Sequence, residues 1–576
     1  MTDDRQTPSE IAIQAGVLSL MQFKSDLYGD RTAFHFYEHG IWKETTYSEL
    51  DRDVTRVSDY LISQCIVRGD RIAILSESRP EWSVAFFASI RCGAVVVPID
   101  VKLTESELAT ILADSEPRII FVSSKLLDTA RRLRKDADWE LSLIVLDKLE
   151  PGDDCRAMAA LESQNTLDGV ERDYDETALI VYTSGTTGTP KGVMVTFRNL
   201  AYQVMNFECV MKLTSRDVLL SMLPMNHLLE LTCGLLGVLY AGGSICYCET
   251  LFPQEIADIM RTKKVTAMIT VPLFMKMLKA AIEREIQKSG PVSRRLFAIA
   301  FRVVPRRGFR FVKKLLFRRI HKRFGNRLKN FITGGASLEP EVLEFFARIG
   351  APIYLGYGLT ETSPVVSVNT PKANRAGSVG RPLAGVRVRI QNDENHPDGE
   401  ILTAGPHVMK GYYRQPDLTA SVIDPHGWFH TGDLGRIDED GFLYITGRIK
   451  NVIILSSGKK VNPDEVEAVI SKSELIKEVC VVGAISSDGL TAGTEEVCAI
   501  IVPIEKVVRE SEDIDEAIGA EVRRLYNELA PYKRPSRICV RLEDLPKTTT
   551  RKVKRAVLLE WLAREDLVPA QSNLPG

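Results

Sequence analysis

Residues 182–193 read YTSGTTGTPKGV, and their types suit the binding of a phosphate group. Three glycines and five hydroxyl residues surround Lys191, directly after the apolar run 178–182. Glycines let successive backbone N–H groups turn toward one anion, hydroxyls add donors, and the lysine adds a positive charge. The pattern predicts a buried strand that leads into a phosphate-binding loop. The alternative is a surface loop rich in small residues, although a turn needs only one or two glycines and no cluster of hydroxyls.

This loop differs from the common P-loop. That motif requires GxxxxGK followed by Ser or Thr, whereas Pro190 stands five residues after Gly185 and Lys191 is followed by Gly192. A P-loop kinase or ATPase is therefore disfavoured. The string instead resembles the phosphate loop of the adenylate-forming superfamily, which includes acyl-CoA synthetases, firefly luciferase and the adenylation domains of peptide synthetases.

Further strings match signatures of the same superfamily in order and spacing, so the resemblance covers nearly the whole chain. They are LPMNHLLEL (223–231), ITGGASLEPEV (332–342), GYGLTET (356–362), GWFHTGDLG (427–435), GRIKNVI (447–453) and LPKTTTRKVKR (545–555). The resemblance implies attack of a carboxylate on the α-phosphorus of ATP, which gives an acyl-adenylate and pyrophosphate, followed by displacement of AMP by the thiol of coenzyme A. The first step depends mostly on positioning and on neutralising phosphate charge.

The resemblance also implies roles for individual residues in binding ATP. The β- and γ-phosphates would be held by Thr183, Ser184, Gly185, Thr186, Thr187, Gly188 and Lys191. Tyr357, flanked by Gly356 and Gly358, would stack on adenine, whose pocket would be lined by Gly335, Ala336 and Ser337. Thr360 would lie near the α-phosphate, and Mg²⁺ would bind at Glu361 and Thr183, because a hard cation prefers oxygen ligands.

Other matched residues concern the ribose, the acid and the chemistry. Asp433 resembles the family carboxylate that accepts hydrogen bonds from both ribose hydroxyls. Arg448 resembles a residue that makes a second contact with the ribose. Taken alone, Tyr357 would more often be a core residue, Asp433 a turn residue and Arg448 a solvated charge. His227 lies in an apolar string where the family has a gate to the acyl pocket, so it is assigned to substrate binding, with a core histidine as the alternative.

Lys552 aligns with the family lysine that bridges the carboxylate and the α-phosphate, and is the predicted catalytic cation. The family commonly has glycine before this lysine, whereas this chain has Arg551. Lys450 stands at the hinge, a position that is often aspartate. Rotation about it would withdraw Lys552 and bring Gly458 and Lys459 to the coenzyme A thiol and phosphates.

Composition and periodicity indicate an α/β fold. Short β-branched runs at 71–76, 94–99, 118–123 and 141–146 alternate with helical patterns such as 80–93, as in mostly parallel sheets. We expect a large adenylation domain over residues 1–447, and a small mobile α+β domain over 448–576 that carries Lys552. Its predicted elements are strands at 479–484 and 497–504 and a helix at 511–530.

The ten cysteines form no CxxC pair, which disfavours a zinc site or a disulfide framework and fits a reducing cytoplasm. The acidic, polar N-terminus does not resemble a signal peptide. Residues 231–248 contain no charge, but Gly242 and Gly243 interrupt them, so we expect a buried helix, a turn and a strand rather than a membrane span.

Residues 286–338 contain 15 Lys or Arg and no Asp or Glu, in a chain whose net charge is −2. Within them, FVKKLLFRRIHKRF predicts one amphipathic basic helix, a form that lies on anionic lipid. The alternatives are a core helix with a solvated basic face, or an acidic partner. Nucleic acid is not expected, since no recognised module or aromatic interleaving is present. Long-chain acyl-CoA synthetases have a comparable basic insertion, so the resemblance favours a long-chain fatty acid.

The sequence therefore predicts a long-chain fatty acid–CoA ligase that uses ATP, Mg²⁺ and coenzyme A. It is expected to be cytoplasmic and peripheral on the inner face of a membrane. One alternative enzyme passes the same adenylate to an acyl carrier protein. A non-enzymatic alternative, a lipid-binding module with a vestigial nucleotide site, is disfavoured because Lys191, Glu361, Asp433 and Lys552 are all present.

Overall fold

Strands and helices alternate along most of the chain. The computed structural model describes residues 25–38, 40–149, 153–163, 173–183, 190–248, 250, 252–305, 308–335, 338–391, 398–457, 459–485, 494–547 and 553–565. The chain divides into two compact units, of which the first contains residues 1–388 and 403–429 and the second contains residues 389–402 and 430–576. The predicted functional boundary after Gly447 stays a prediction.

In chain order the described strands are β1 (Thr32–Glu38), β2 (Ile41–Thr46), β3 (Arg71–Leu75), β4 (Val95–Ile99), β5 (Ile119–Val122), β6 (Ser142–Val145), β7 (Arg156–Ala157), β8 (Thr177–Thr183), β9 (Lys191–Thr196), β10 (Val218–Ser221), β11 (Ser244–Tyr247), β12 (Ala267–Thr270), β13 (Asn330–Gly334), β14 (Ile353–Tyr357), β15 (Ser367–Val368), β16 (Arg381–Pro382), β17 (Arg387–Gln391), β18 (Gly399–Ala404), β19 (Gly411–Tyr412), β20 (Phe429–Ile437), β21 (Leu443–Arg448), β22 (Ile453–Ile454), β23 (Lys460–Val461), β24 (Ile476–Ile485), β25 (Glu495–Pro503) and β26 (Arg537–Val540).

The described α-helices are α1 (Ser25–Tyr28), α2 (Tyr47–Ser63), α3 (Pro80–Arg91), α4 (Glu105–Ser115), α5 (Leu127–Asp136), α6 (Phe197–Met211), α7 (Gly237–Tyr240), α8 (Pro253–Thr262), α9 (Pro272–Lys288), α10 (Pro291–Val303), α11 (Arg310–Leu316), α12 (Arg318–Arg323), α13 (Pro340–Ile349), α14 (Pro416–Val422), α15 (Pro463–Ile470), α16 (Glu505–Glu510), α17 (Ile514–Leu525) and α18 (Arg555–Glu565). A π-helix spans Leu229–Leu236.

Local sequence fixes several of these helix starts. Thr46 and Glu49 form a reciprocal capping box at the start of α2, and Thr104 and Glu107 form another at the start of α4. Each box satisfies backbone donors that have no partner inside the helix. Proline occupies the first turn of α3, α8, α9, α10 and α13, where its missing N–H costs nothing.

The first unit contains two large sheets. One has eight strands in the order β19-β9-β8-β4-β3-β5-β6-β7, and the other has nine in the order β16-β15-β14-β13-β12-β10-β11-β1-β2. Strands β3 to β6 and β10 to β14 pair in parallel, as the alternation of strands and helices predicts. The largest apolar cluster contains Ile72 and Val96 from the first sheet and Leu219 and Ile269 from the second. The predicted fold class is confirmed.

The second unit contains a four-stranded sheet, β17-β18-β20-β21, the hairpin β22-β23 and a three-stranded sheet, β24-β25-β26. Helices cover both faces of the three-stranded sheet. Ile518 and Val522 of α17 share one apolar cluster with Val481 and Ile501, whereas Leu558 and Leu562 of α18 share the other with Val482 and Ile500. This is the small α+β arrangement that the sequence predicts.

The apolar run 231–248 folds as expected into the π-helix, α7, a turn and β11. Gly242 makes the turn with φ +74°, and a Cβ there would lie 2.5 Å from the ring of Tyr28. Among the described residues no helix is long and apolar enough to cross a membrane.

The predicted single helix over 311–324 is wrong. The segment forms two short helices, α11 and α12, which are interrupted at Phe317. Phe317, His321 and Phe324 are buried, and Nε2 of His321 lies 2.7 Å from the carbonyl oxygen of Ile349. The second half of the segment is therefore part of the core, because its apolar residues face α13 and the sheet rather than solvent.

Candidate active site

The phosphate-loop string lies at the open end of a β-hairpin. Strands β8 and β9 pair antiparallel, and Thr183 and Lys191 are register partners at the point where the loop leaves the sheet. The hairpin therefore presents the hydroxyl residue and the lysine side by side. The predicted phosphate contacts Ser184, Gly185, Thr186, Thr187 and Gly188 lie outside the described residues.

Close packing fixes the base of the hairpin. A Cβ on Gly192 would lie 2.7 Å from Cγ2 of Ile180, and the carbonyl oxygen of Gly192 accepts a hydrogen bond from the N–H of Tyr413 at 2.7 Å. This bond continues the pairing of β19 with β9, in which Tyr412 is the register partner of Val193. The sheet thus places Tyr412 next to the strand that carries Lys191.

Tyr412 contacts both charged groups of the predicted ATP site. Its hydroxyl donates a hydrogen bond to Oε1 of Glu361 at 3.0 Å, and Nζ of Lys191 lies 5.5 Å from its ring centroid. Burial, and then the Glu361 carboxylate, raise the pKa of Tyr412, so its hydroxyl remains a donor at neutral pH. Within the described residues no hydrogen bond to Oε2 of Glu361 is present, which leaves this oxygen for a metal ion.

The short 3₁₀ turn Thr360–Thr362 presents Glu361. The carbonyl oxygen of Glu361 accepts a hydrogen bond from the N–H of Met409 at 2.9 Å, and the hydroxyl of Thr362 accepts one from the N–H of Leu359 at 2.8 Å. A Cβ on Gly358 would lie 1.8 Å from the carbonyl oxygen of Pro364, so the tight turn requires glycine there.

Two amides of α6 hold this turn and the neighbouring segment before β19. Gln203 Nε2 donates to the carbonyl oxygens of Thr362 and Val365 at 2.9 and 2.8 Å. Asn199 Nδ2 donates to the carbonyl oxygen of Val408 at 2.9 Å. Sequence reasoning missed Tyr412, Asn199 and Gln203. The i, i+4 spacing of Asn199 and Gln203 among the apolar residues of α6 is the signal that was available for the last two.

The described residues predicted to bind adenine lie at the carboxyl ends of β13 and β14, the edge of the parallel sheet where ligands bind in such folds. Gly335 has φ +86° directly after β13, and Gly356 belongs to β14. Tyr357 ends β14 and is 9% exposed. Ala336 and Ser337 lie outside the described residues. The stacking role of Tyr357 stays a prediction.

His227 lies two residues before the π-helix. Its carbonyl oxygen accepts hydrogen bonds from the N–H groups of Glu230 and Leu231, both at 3.0 Å, and its side chain is half-buried. The substrate-gate role remains a prediction.

Glu230, which the sequence reasoning did not single out, is fully buried. Neither of its carboxyl oxygens has a hydrogen-bond partner among the described residues. A Cβ on Gly234 would lie 2.8 Å from Oε1, so the absence of a side chain at Gly234 makes room for the carboxyl group. Burial raises the pKa of Glu230 to about 8, although the nearby Ser221 hydroxyl acts in the opposite direction.

In the second unit, Asp433 and Arg448 are register partners across β20 and β21. Nε of Arg448 lies 2.7 Å from Oδ1 of Asp433, whose side chain is only 4% exposed. The hydroxyl of Thr431 accepts the N–H of Asp433 at 3.1 Å and donates to the carbonyl oxygen of Ile401 at 2.7 Å. The two predicted ribose contacts are thus adjacent and oriented by the sheet.

The remaining predicted residues are also in the second unit. Lys450 lies in the 3₁₀ turn Ile449–Asn451, directly after β21. Nζ of Lys459 lies 4.7 Å from the ring centroid of Tyr532. Gly458 and Lys552 lie outside the described residues. An antiparallel bridge pairs Lys547 with Val553, and Nζ of Lys547 lies 2.5 Å from Oε1 of Glu478.

Comparison with known protein families agrees with this arrangement of motifs. Residues 22–413 match the family AMP-binding enzyme, and residues 465–552 match the AMP-binding enzyme C-terminal domain. The chain belongs to the AMP-binding enzyme family. The resemblance to the adenylate-forming superfamily is confirmed.

Relatives of this family member include ligases for several acids. A medium-chain fatty-acid–CoA ligase of Escherichia coli (strain K12) is 27% identical over 533 residues, which cover 90% of this chain and 86% of that protein. An indoleacetate–CoA ligase of Aromatoleum aromaticum is 29% identical, and the match covers 93% of this chain and 96% of that protein. The peroxisomal long chain acyl-CoA synthetase 6 of Arabidopsis thaliana is 29% identical, and the match covers 85% of this chain and 72% of that protein.

The structure is also similar to the crystal structure of ATP-bound MatB from Rhodopseudomonas palustris. The TM-score is 0.76 at 27% identity, and the match covers 95% of this chain and 98% of MatB. The likeness thus extends over both compact units of this family member.

Proposed function

We propose that this protein is an ATP-dependent acid–CoA ligase whose acid is a long-chain fatty acid. The observation that carries the proposal is the contact of Tyr412 with both Glu361 and Lys191 beside the phosphate hairpin. It links the carboxylate of Glu361, which follows β14, to the ammonium group of Lys191, which begins β9. Binding of a magnesium-bound triphosphate requires such a carboxylate for the metal ion and such a cation for the phosphates. CoA ligation is the reaction named for the three relatives above.

In the proposed first step, Thr183 and Lys191 hold the β- and γ-phosphates of ATP. Mg²⁺, bound at Glu361, would neutralise charge on the phosphate oxygens. Asp433 accepts the ribose hydroxyls, and Arg448 keeps that carboxylate oriented. Lys552 brings the acid's carboxylate and the α-phosphate together, since two anions would otherwise repel each other. The carboxylate oxygen bonds to the α-phosphorus, and the bond to the leaving pyrophosphate breaks.

In the proposed second step, rotation at Lys450 withdraws Lys552 and presents Gly458 and Lys459 to coenzyme A. The thiol sulfur bonds to the acyl carbon, its proton is lost, and AMP leaves with the former carboxylate oxygen. Lys459, whose ammonium group lies over the ring of Tyr532, would move to bind a phosphate of coenzyme A. The predicted domains 1–447 and 448–576 are the parts that move.

The identity of the acid is the finer part of the proposal. The relatives act on medium-chain, long-chain and aromatic acids, so the likeness alone favours none of them. A long-chain acid is supported by the basic segment 286–338, which fits an enzyme that works at the inner face of an anionic membrane. An acyl carrier protein in place of coenzyme A is the alternative acceptor, as named for a relative in Arabidopsis thaliana that is 28% identical.

Release of pyrophosphate by the purified protein tests the proposal. MgATP is supplied with acetate, octanoate, palmitate, oleate, indoleacetate or succinylbenzoate, and with coenzyme A or a phosphopantetheinylated carrier protein. We expect the highest kcat/KM with palmitate or oleate and coenzyme A, and loss of release in Glu361→Ala. Faster release with an aromatic or short acid would refute the long-chain assignment. Faster transfer to the carrier protein would refute the assignment of the acceptor.

A further inference from the structure

Helix α10 is apolar on two opposite sides. Phe297, Ala300 and Phe301 pack against the apolar cluster on the outer face of the nine-stranded sheet. The opposite side carries Val292, Leu296, Ile299 and Val303, which are between 54% and 75% exposed. These four residues follow helical spacing and form one stripe. A helix that is apolar on both sides normally lies inside a protein, so the outer stripe of α10 requires an apolar neighbour.

Helix α11 buries a lysine and exposes its apolar side chains, which is the reverse of an ordinary surface helix. Lys313 is only 3% exposed and donates a hydrogen bond from Nζ to the carbonyl oxygen of Ala347 at 3.0 Å. The large apolar side chains point outward instead. Phe311, Val312, Leu315 and Leu316, together with Phe309 just before the helix, are between 45% and 81% exposed. Lysine is rarely buried and such apolar clusters are rarely exposed on a monomer, so this reversal marks a binding surface.

Cations surround the exposed apolar residues. Arg294, Arg295 and Arg302 of α10 and Arg318 and Arg319 of α12 are exposed. Nη1 of Arg319 donates to the hydroxyl of Ser293 at 3.1 Å, which brings the cations of α12 next to the first turn of α10. The absence of any acidic residue from 286–338 leaves this charge uncompensated within the segment.

We propose that the outer faces of α10 and α11 form a lipid-binding surface that inserts into one leaflet of an anionic bilayer. The apolar stripes enter the boundary between headgroups and acyl chains, and the surrounding guanidinium groups contact anionic headgroups. The inference deepens the proposed location at a membrane and rests on it, but it does not depend on the ligase chemistry.

The arrangement of apolar and basic residues favours lipid over a protein partner. The surface has apolar residues at its centre and basic residues at its border. An anionic leaflet has hydrocarbon in its interior and phosphate groups at its surface, so each part of the protein surface would meet a complementary part of the leaflet. The sequence analysis placed the lipid-facing apolar residues within 311–324. In the structure Phe324 is buried, whereas α10, which lies before that range, carries four of the exposed apolar residues. A second copy of the chain is the competing occupant, and the experiment distinguishes it.

Sedimentation with vesicles tests the surface in the full-length protein. Vesicles of phosphatidylcholine alone are compared with vesicles that also contain phosphatidylglycerol. We expect binding only to the anionic vesicles, and Leu296→Glu/Ile299→Glu and Leu315→Glu/Leu316→Glu should each weaken it by about tenfold or more. Val67→Glu is the matched control, since Val67 is a 58% exposed apolar residue elsewhere in the same unit. Arg295→Gln/Arg302→Gln should reduce the preference for anionic lipid.

A direct measurement of insertion makes the test independent of folding defects. In Leu296→Trp, a fluorescence shift to the blue and quenching by brominated lipid are expected, and Val67→Trp should give neither. Activity on a soluble short acid should be retained in the glutamate variants, so loss of vesicle binding is separable from failure of the ligase proposal. The proposal is overturned if the wild type ignores anionic vesicles or if the glutamate variants bind undiminished. It is also overturned if the wild type is a dimer in light scattering that Leu296→Glu/Ile299→Glu dissociates without any effect on lipid.

Discussion

The hydroxyl of Tyr412 donates a hydrogen bond to Oε1 of Glu361 at 3.0 Å, and the ring of the same tyrosine lies beside the ammonium group of Lys191. One side chain therefore positions two groups of opposite charge. The tyrosine reaches both because β19 pairs with β9, which starts at Lys191, and because the N–H of Met409 holds the turn that carries Glu361.

Tyr412→Phe should weaken the use of MgATP. The substitution keeps the ring next to Lys191 but removes the donor that orients the Glu361 carboxylate. A hydrogen bond to a charged group contributes roughly 1.5–3 kcal/mol, so we expect kcat/KM for MgATP in pyrophosphate exchange to fall by about tenfold or more. Tyr413→Phe is the matched control on the neighbouring residue and should leave exchange near the wild-type rate. Equal effects of the two substitutions would contradict the positioning role.

Lys552→Ala should abolish formation of the acyl-adenylate. Thioester formation from supplied acyl-AMP should remain largely intact, because only the first step needs a cation between the carboxylate and the α-phosphate. The two half-reactions are measured separately, by pyrophosphate exchange and by release of AMP from synthetic acyl-AMP with coenzyme A. Lys554→Ala serves as the control for loss of one positive charge in the same segment. Equal loss of both half-reactions in Lys552→Ala would refute the assignment.

Lys450→Pro should impair the second half-reaction, transfer to coenzyme A, rather than the first. Proline fixes φ near −65° and removes the N–H donor, so it should hinder rotation in the turn that follows β21. Adenylation is expected to persist while transfer to coenzyme A falls sharply. Lys450→Ala, which removes the side chain without restricting the backbone, should transfer at nearly the wild-type rate. If Lys450→Pro transfers equally well, rotation at this residue is not required.

Periodicity and motifs predicted much of the fold because they are local signals. The β-branched runs became strands β3 to β6, and the signature strings located Thr183, Lys191, Glu361, Asp433 and Arg448. The register of Asp433 with Arg448 follows from two strands joined by a short turn, so the sequence already implied that these residues could be close.

Contacts between distant segments could not be predicted in the same way. Tyr412 lies 51 residues from Glu361, and the two meet through the pairing of β19 with β9 and the hydrogen bond from the N–H of Met409 to the carbonyl oxygen of Glu361. The outward apolar face of α10 could not be predicted for a different reason. Its apolar residues look like a core stripe in sequence, and only the packed structure shows that a second apolar side already fills the core contact.

Glu230 provides a prediction about stability and pH. Its carboxyl group has an ordinary pKa of 4.5, which burial raises to about 8 in the folded protein. Between these values the folded chain holds a proton that the unfolded chain has lost, so the free energy of unfolding should fall as the pH rises from 4.5 to 8.

Glu230→Gln removes this titration while nearly preserving the shape that Gly234 accommodates. Relative to wild type, the variant should therefore gain stability as the pH rises, by a few kcal/mol between about pH 5 and about pH 8.5, since each unit of pKa shift corresponds to about 1.4 kcal/mol. Urea unfolding of the first unit, followed by its buried Trp82, measures the difference at both pH values. Glu162→Gln, an exposed change of the same kind in the first unit, should show no such gain. A wild type and a Glu230→Gln variant that change in parallel with pH would mean that this carboxyl group ionises at its ordinary pKa in the folded protein.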